Sequence, residues 1–227
     1  SAEKEADVIL WDGGNNDLPF YKSDLHLCIA DPLRSGHEMA YHPGEANFRM
    51  ADIILINKCD SAKEADIKSI EANAALVNPK ARVIRANSPV SCDKPEMVKG
   101  KRALVIEDGP TLTHGSMTYG AGVVAAKAMG AHEIVDPTPY AVASIAATYR
   151  KYPNAQGILP AMGYGEQQVK DLEATIEATP CDVVLSATPI DLTRVLKVTK
   201  PMTRVRYDLA EIREGVLEAE VRRVLGL

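Results

Sequence analysis

The chain has 227 residues, 46% of them hydrophobic and 25% charged, and carries a formal net charge of −5. This is enough to bury a sizeable core in one or two domains, while the acidic balance excludes a general nucleic-acid-binding surface, which must be basic to displace counterions. Cys28, Cys59, Cys92 and Cys181 form no C-x-x-C pair, so neither a zinc site nor a dense disulfide framework is indicated and a reducing, cytoplasmic setting is expected; no run of about 18 apolar residues would span a membrane.

The first apolar run, Asp7-Val8-Ile9-Leu10-Trp11, enters Asp12-Gly13-Gly14-Asn15-Asn16-Asp17 and reads as a strand. An acid at such a strand's end fits the Asp that holds Mg²⁺, usually through water, in P-loop NTPases, which makes Asp12 the candidate metal ligand. A second run, Leu25-His26-Leu27-Cys28-Ile29-Ala30, ends in Asp31-Pro32-Leu33-Arg34-Ser35-Gly36-His37-Glu38. Arg34, His37 and Glu38 are candidate catalytic residues there, Arg34 as a neutraliser of charge on a transferred phosphoryl group. The plainer alternative is a helix-starting turn with solvated charges.

The third run, Ala51-Asp52-Ile53-Ile54-Leu55-Ile56, ends in Asn57-Lys58-Cys59-Asp60, an N-K-x-D sequence that reads guanine. Its Asp accepts hydrogen bonds from the base N1–H and exocyclic amine, its Lys stem covers the ring, and its Asn fixes the loop. Alone, the tetrapeptide also suits a polar turn. A helix follows, with Ser61-Ala62-Lys63-Glu64 as a capping box, Ile67, Ile70 and Ala74 at helical spacing, and Asn78-Pro79 as the stop. The next strand, Ala81-Arg82-Val83-Ile84-Arg85, ends in Ala86-Asn87-Ser88, placed where a backbone N–H meets guanine O6. Asn57, Lys58, Asp60, Ala86, Asn87 and Ser88 are thus the candidate nucleotide-binding residues. Strand, helix and strand form a βαβ unit whose loops fall at the carboxyl ends of parallel strands, where ligands bind in open α/β sheets.

No stretch matches G-x-x-x-x-G-K-[ST], the loop that cradles nucleotide phosphates. Since that loop ordinarily precedes an Asp12-type strand, the expectation is the C-terminal part of a longer protein, inactive and weak in nucleotide binding by itself.

Two prolines and several charges in residues 88–100 mark a boundary, giving residues 1–100 as the C-terminal part of a P-loop NTPase-like core and 101–227 as an α/β substrate-binding region. The second region opens with a strand, Arg102-Ala103-Leu104-Val105-Ile106-Glu107. Then comes a stretch rich in glycine and hydroxyl groups, residues 109–122, leading into a helix that Gly130 closes. Glycines admit an anion to backbone N–H groups and a helix start attracts it, so Asp108, Thr111, Thr113 and His114 are candidate site residues. The alternative is a packing turn with His114 on the surface. Strand candidates at 133–135, 157–160, 182–186 and 204–207 alternate with helix candidates after Thr138-Pro139, around Val169, Leu172 and Ile176, and after Asp208, the last with Ile212, Val216 and Leu217 inward. The fold class is α/β, with mostly parallel sheets flanked by helices.

The runs Trp11 to Phe20, Asp31 to Glu38, Pro43-Gly44-Glu45, Asn57 to Asp60 and Glu107 to Gly115 resemble the cyclic 2,3-diphosphoglycerate synthetases and their bacterial relatives, often labelled predicted GTPases, over residues 7–208. The resemblance implies a P-loop NTPase core after a Rossmann-like region. It also implies a ligase chemistry: ATP-dependent closure of an intramolecular phosphoanhydride, with Asp12 on Mg²⁺ and with Arg34 and the Thr111 to His114 loop holding the phosphates. ATP or GTP is then a substrate, and the partners are a nucleotide and a small phosphorylated acid, with no nucleic acid and no membrane; a homo-oligomer stays open. Asp60 argues instead for a GTPase. A regulatory GTP-binding module docking a protein partner is the reading outside enzymes.

Overall fold

In a computed structural model of the chain, residues 4–14, 17–114 and 117–226 are described, His114 through its backbone alone. The chain divides into two compact units, Ser1–Pro89 with Asp208–Leu227, and Val90–Tyr207. The first contains β1 (Leu27–Ala30), α1 (His37–Ala40), α2 (Gly44–Met50), β2 (Ile53–Ile56), α3 (Glu64–Val77) and β3 (Arg82–Asn87). The second contains β4 (Val90–Cys92), β5 (Arg102–Asp108), α4 (Gly109–His114), α5 (Ala121–Ala128), β6 (Glu133–Ile134), α6 (Ala143–Lys151), β7 (Leu159–Ala161), α7 (Glu166–Ala178), β8 (Val183–Ala187) and β9 (Met202–Tyr207). The chain then returns to the first unit as β10 (Ala210–Glu211) and α8 (Val216–Leu225). Both sheets are mostly parallel and flanked by helices, an α/β fold.

In the first unit the sheet order is β1-β2-β3-β10, with β10 antiparallel to β3 and the rest parallel. The uninterrupted Ile-Ile-Leu-Ile of β2 is buried at all four positions, as a strand covered on both faces requires. Alternation sends Ile54 and Ile56 to one face, with Phe48, Ile67, Ile70 and Ala74 from α2 and α3. Ile53 and Leu55 go to the other, with Ile84, Ala86 and the partly buried Val216 and Leu217 of α8. Asn78 ends α3, and its side-chain amide donates to the carbonyls of Phe48 (3.1 Å) and Ala51 (2.8 Å), which fastens α2 beneath the sheet.

Three expectations about this unit are corrected. Residues 7–11 form no strand, and Leu10 is 90% exposed; apolar content makes a strand only where a neighbour offers a ladder, and no described strand pairs with this run. The capping box does not form either. Helix α3 starts at Glu64, whose carboxylate is drawn to the Arg85 guanidinium (3.1 Å), itself gripped by both oxygens of Glu71 (2.6 and 2.8 Å). Ile212, expected inward, is exposed, because α8 begins only after Gly215, which takes the left-handed φ of 75° that glycine tolerates. The Arg85 clamp is bidentate and partly shielded, so Arg85→Met, which keeps the apolar stem, is expected to cost about 1 kcal/mol in urea unfolding at low salt. The cost should shrink in 1 M NaCl.

The second unit's sheet runs β4-β9-β8-β5-β6. Its central strand β5 pairs with β6 through its first half and with β7 through its second. Residues Ala103 to Glu107 are buried, in a core shared with Val123 and Ala126 of α5, Ile145 and Tyr149 of α6, and Leu172 and Ile176 of α7. The division falls at residue 89/90 rather than 100/101, because β4, which reads as linker, pairs antiparallel with β9 more than a hundred residues later. Likewise residues 208–227 belong to the first unit, through the β10 pairing of Ala210 with Asn87. Among the described residues no helix is long and apolar enough to cross a membrane.

Candidate functional site

In the first unit the loops after β2 and β3 leave neighbouring parallel strands and are stitched together. Cys59 N–H donates to the Ala86 carbonyl (3.0 Å) and Ser88 N–H donates to Asp60 Oδ1 (3.2 Å). Asp60 is exposed. Asn57 donates its backbone N–H to Ala30 across to β1, while its side-chain Oδ1 is buried with no hydrogen-bond partner among the described residues. Lys58 takes a positive φ of 58° and sends its ammonium to Asp31 Oδ2 (2.7 Å). These contacts bring Asn57, Lys58, Asp60, Ala86, Asn87 and Ser88 to one edge of the sheet.

The residues after β1 are engaged otherwise than expected. Arg34 lies on Asp31 (3.3 Å), which also accepts the Leu33 N–H and the Lys58 ammonium, so its guanidinium is already engaged at the turn. Glu38 ties α1 to α3, accepting the Gly36 N–H (2.8 Å) and the Asn73 side-chain amide (2.7 Å). His37 packs its ring on Tyr41 at 4.8 Å. Asp12 stands in an exposed irregular stretch, and no group of three or more His, Cys, Asp or Glu that could hold a metal gathers among the described residues. Those residues do not build a Mg²⁺ cage by themselves.

In the second unit the stretch expected as an anion-binding loop is largely helix. Residues 109–114 form α4, where Thr113 Oγ1 donates back to the Gly109 carbonyl (3.0 Å) and which also contains Thr111. The side chain of His114, with Gly115 and Ser116, lies outside the described residues. The start of α5 is taken by the chain's own carboxylate. Glu107, 2% exposed, accepts the N–H groups of Gly120 and Val123 (both 3.0 Å) through Oε1. Glycine is required at this approach, since a Cβ on Gly120 would meet Glu107 Oε2 at 2.6 Å and one on Gly122 would meet Val105 at 2.6 Å. Burial raises the Glu107 carboxyl above its ordinary range, and the backbone N–H groups of Val123, Gly122 and Gly120 offset this only in part. The anion that the helix start attracts is therefore supplied internally, and a phosphate would have to displace it.

Asp108, the next residue, is half-buried at the end of β5, and burial raises its carboxyl too. Sequence reading passes over Ser186, Thr188 and Arg204 on the same sheet: Ser186 and Thr188 lie at and just past the carboxyl end of β8, and Arg204 lies mid-strand in β9, level with Ser186, while Tyr164 follows β7. The signal for Ser186 and Thr188 is positional, since they lie at or just past a strand's end, whereas Arg204 is marked only by its register with Ser186, and none sits in a motif. Ser186 is 1% exposed and Thr188 3%. The Tyr164 hydroxyl is pushed up by burial, with Thr188 hydrogen-bonded to it and the Asp108 charge acting on it.

No protein-family model matches the chain. Over 217 residues it is 59% identical to a Thermococcus kodakarensis protein named "Arginine synthetase ArcE", a match covering 96% of this chain and 48% of that protein. This chain is similar to an arginine synthetase. It spans about half the length of that relative, and the match runs through both units. The synthetase half of the resemblance drawn from sequence agrees with the name ArcE carries; a diphosphoglycerate substrate does not appear in it.

Proposed function

We propose that the chain forms part of a nucleotide-dependent synthetase, in which the first unit takes the nucleotide base and the second unit holds the other substrate. The observation that carries this is the join between the two loops, Asp60 Oδ1 accepting the Ser88 N–H at 3.2 Å. It holds an exposed carboxylate and a short backbone loop side by side, the two elements that recognise the Watson–Crick edge and the O6 of guanine. The 59% identity to a protein named arginine synthetase supports the ligase class, and it moves the second substrate from a phosphorylated acid towards an amino acid. Closure of a phosphoanhydride in 2,3-diphosphoglycerate is the less favoured version of the same chemistry.

In either version the chain's own groups bind, align and neutralise. The orphan Asn57 Oδ1 offers an acceptor beside the base position. Arg34 and Lys58 share Asp31, so either can turn to a phosphoryl group only by leaving that carboxylate to the other. Mg²⁺ in such enzymes is held mostly by water and substrate phosphates, for which Asp12 would supply one position and the nucleotide the rest.

The test is Asp60→Asn in the nucleotide-binding protein. Loss of a charge-assisted pair of hydrogen bonds should weaken GTP by about 2 to 3 kcal/mol, roughly 30- to 150-fold, and improve xanthosine triphosphate, whose base presents an acceptor in place of the amine. Calorimetry showing ATP bound as tightly as GTP, with Asp60→Asn without effect, would remove guanine reading and leave an ATP-using synthetase. GTP hydrolysis that needs no second substrate would favour the GTPase, and GTP-dependent capture of a protein without turnover would favour a regulatory module.

A further inference from the structure

We infer that the carboxyl edge of the second unit's sheet is a site for the zwitterionic head of an α-amino acid, with the ammonium on Asp108 and the carboxylate on Arg204. This rests on the synthetase reading and specifies the substrate class that its second unit accepts.

Register places the parts. Ile106 on β5, Ser186 on β8 and Arg204 on β9 are partners across three parallel strands, so their side chains share one face. Asp108 lies two residues beyond Ile106 and so returns to that face at the strand's end. The outer two of these strands are about 10 Å apart, with Ser186 and the residues after β8 between them. A carboxylate and a guanidinium therefore flank a row of hydroxyls at the rim where α/β sheets bind ligands.

Arg204 Nη2 donates to the Pro189 carbonyl (2.7 Å), which holds the guanidinium past the end of β8, yet its Nε is buried and has no hydrogen-bond partner among the described residues. A buried N–H without an acceptor costs about 1 to 3 kcal/mol, so its retention points to an acceptor that comes and goes. The two acids whose charges act on Arg204 do not supply it. Asp93 is held by Nε and Nη2 of Arg206 (2.7 and 3.2 Å), and Asp191 accepts from the Thr193 hydroxyl and N–H (2.6 and 3.2 Å) and pairs with Arg194. A carboxylate fits the guanidinium fork best, through paired N–H donors.

At the other end, the Asp108 carboxylate makes no hydrogen bond to any described residue, and its acceptor capacity suits an ammonium. Between them the Thr188 hydroxyl is spent on the Ile190 carbonyl (2.7 Å), while the buried Ser186 hydroxyl has only a 3.5 Å contact with Thr188 and retains capacity for a ligand. A phosphorylated acid would meet repulsion from Asp108, whereas an amino acid presents one charge of each sign in matching order.

Calorimetry on the 227-residue chain decides the matter with four probes: L-arginine, agmatine, which lacks the carboxylate, N-acetyl-L-arginine, which lacks the ammonium, and inorganic phosphate. L-Arginine should bind, both analogues should bind at least tenfold more weakly, and phosphate should not displace it. Arg204→Gln should erase the preference over agmatine, and Asp108→Asn the preference over N-acetyl-L-arginine. No binding of L-arginine, an analogue bound equally well, or displacement by phosphate would overturn the site. The wild-type series stands even if a variant fails to fold. Nucleotide binding is read separately, through Asp60→Asn in the nucleotide-binding protein, so amino-acid binding by the chain with no guanine or adenine nucleotide bound there would sink the synthetase reading alone, and the reverse would sink only this site.

Discussion

Glu107→Ala should destabilise the second unit by about 3 kcal/mol, because it strands the buried N–H of Val123 and the part-buried N–H of Gly120 and removes the anion from the start of α5. Relief of a buried charge offsets part of that loss, which keeps the figure below the sum of the broken bonds. Glu107→Gln keeps an acceptor and should cost much less. The pair also carries a pH signature. The folded-state pKa of Glu107 lies above its ordinary value of 4.5, so the folded protein holds this proton more tightly than the unfolded chain does. Stability contributed at this position is then greatest below pH 4.5 and falls as pH rises through the folded-state value. Urea unfolding at pH 4.5 and 7.5 should show the wild type losing ground to Glu107→Gln at the higher pH. A wild type that gains ground instead would mean that the three N–H groups outweigh burial.

Phe48→Ala is expected to cost about 3 to 5 kcal/mol, the range for emptying a fully buried aromatic site. Phe48 has no exposed surface and shares its cluster with Ile54, Ile56, Ile67 and Ile70, while its carbonyl takes the Asn78 amide. The cavity would open directly beneath β2, the strand that carries Asn57 to Asp60 at its end. Phe48→Leu retains most of the volume and should cost under about 1.5 kcal/mol. Equal losses for the two substitutions in urea unfolding would show that α2 contributes little to the unit's core.

What the sequence reveals and what it hides differ by range. Strand β2 is legible because four consecutive β-branched or aliphatic residues between polar turns suit only a strand buried on both faces, and α3 is legible from Ile67, Ile70 and Ala74. The alternation that follows is enough for the α/β class. Residues 7–11 have the same composition as a strand but no described neighbour to pair with, and composition cannot report a neighbour. The return of the C-terminus to the first unit and the pairing of β4 with β9 are likewise encounters between distant segments. At the candidate sites, Asn57 to Asp60 and Ser88 stand out as a motif, whereas Arg204 and Ser186 acquire meaning only from register. The acids ending β5 are visible in sequence, but which of them faces a helix start and which faces the sheet's rim follows from strand alternation, which sends Glu107 and Asp108 to opposite faces.

The division of labour between the two units is tested most directly by backbone amide NMR of the chain, titrated first with GTP or ATP and then with L-arginine. Nucleotide should shift the amides of residues 57–61 and 86–88, and L-arginine those of residues 108, 162–164, 186–191 and 204, with neither set moving in the other titration. Nucleotide shifts concentrated at residues 109–122, or L-arginine shifts absent from the 186–191 segment, would contradict the account.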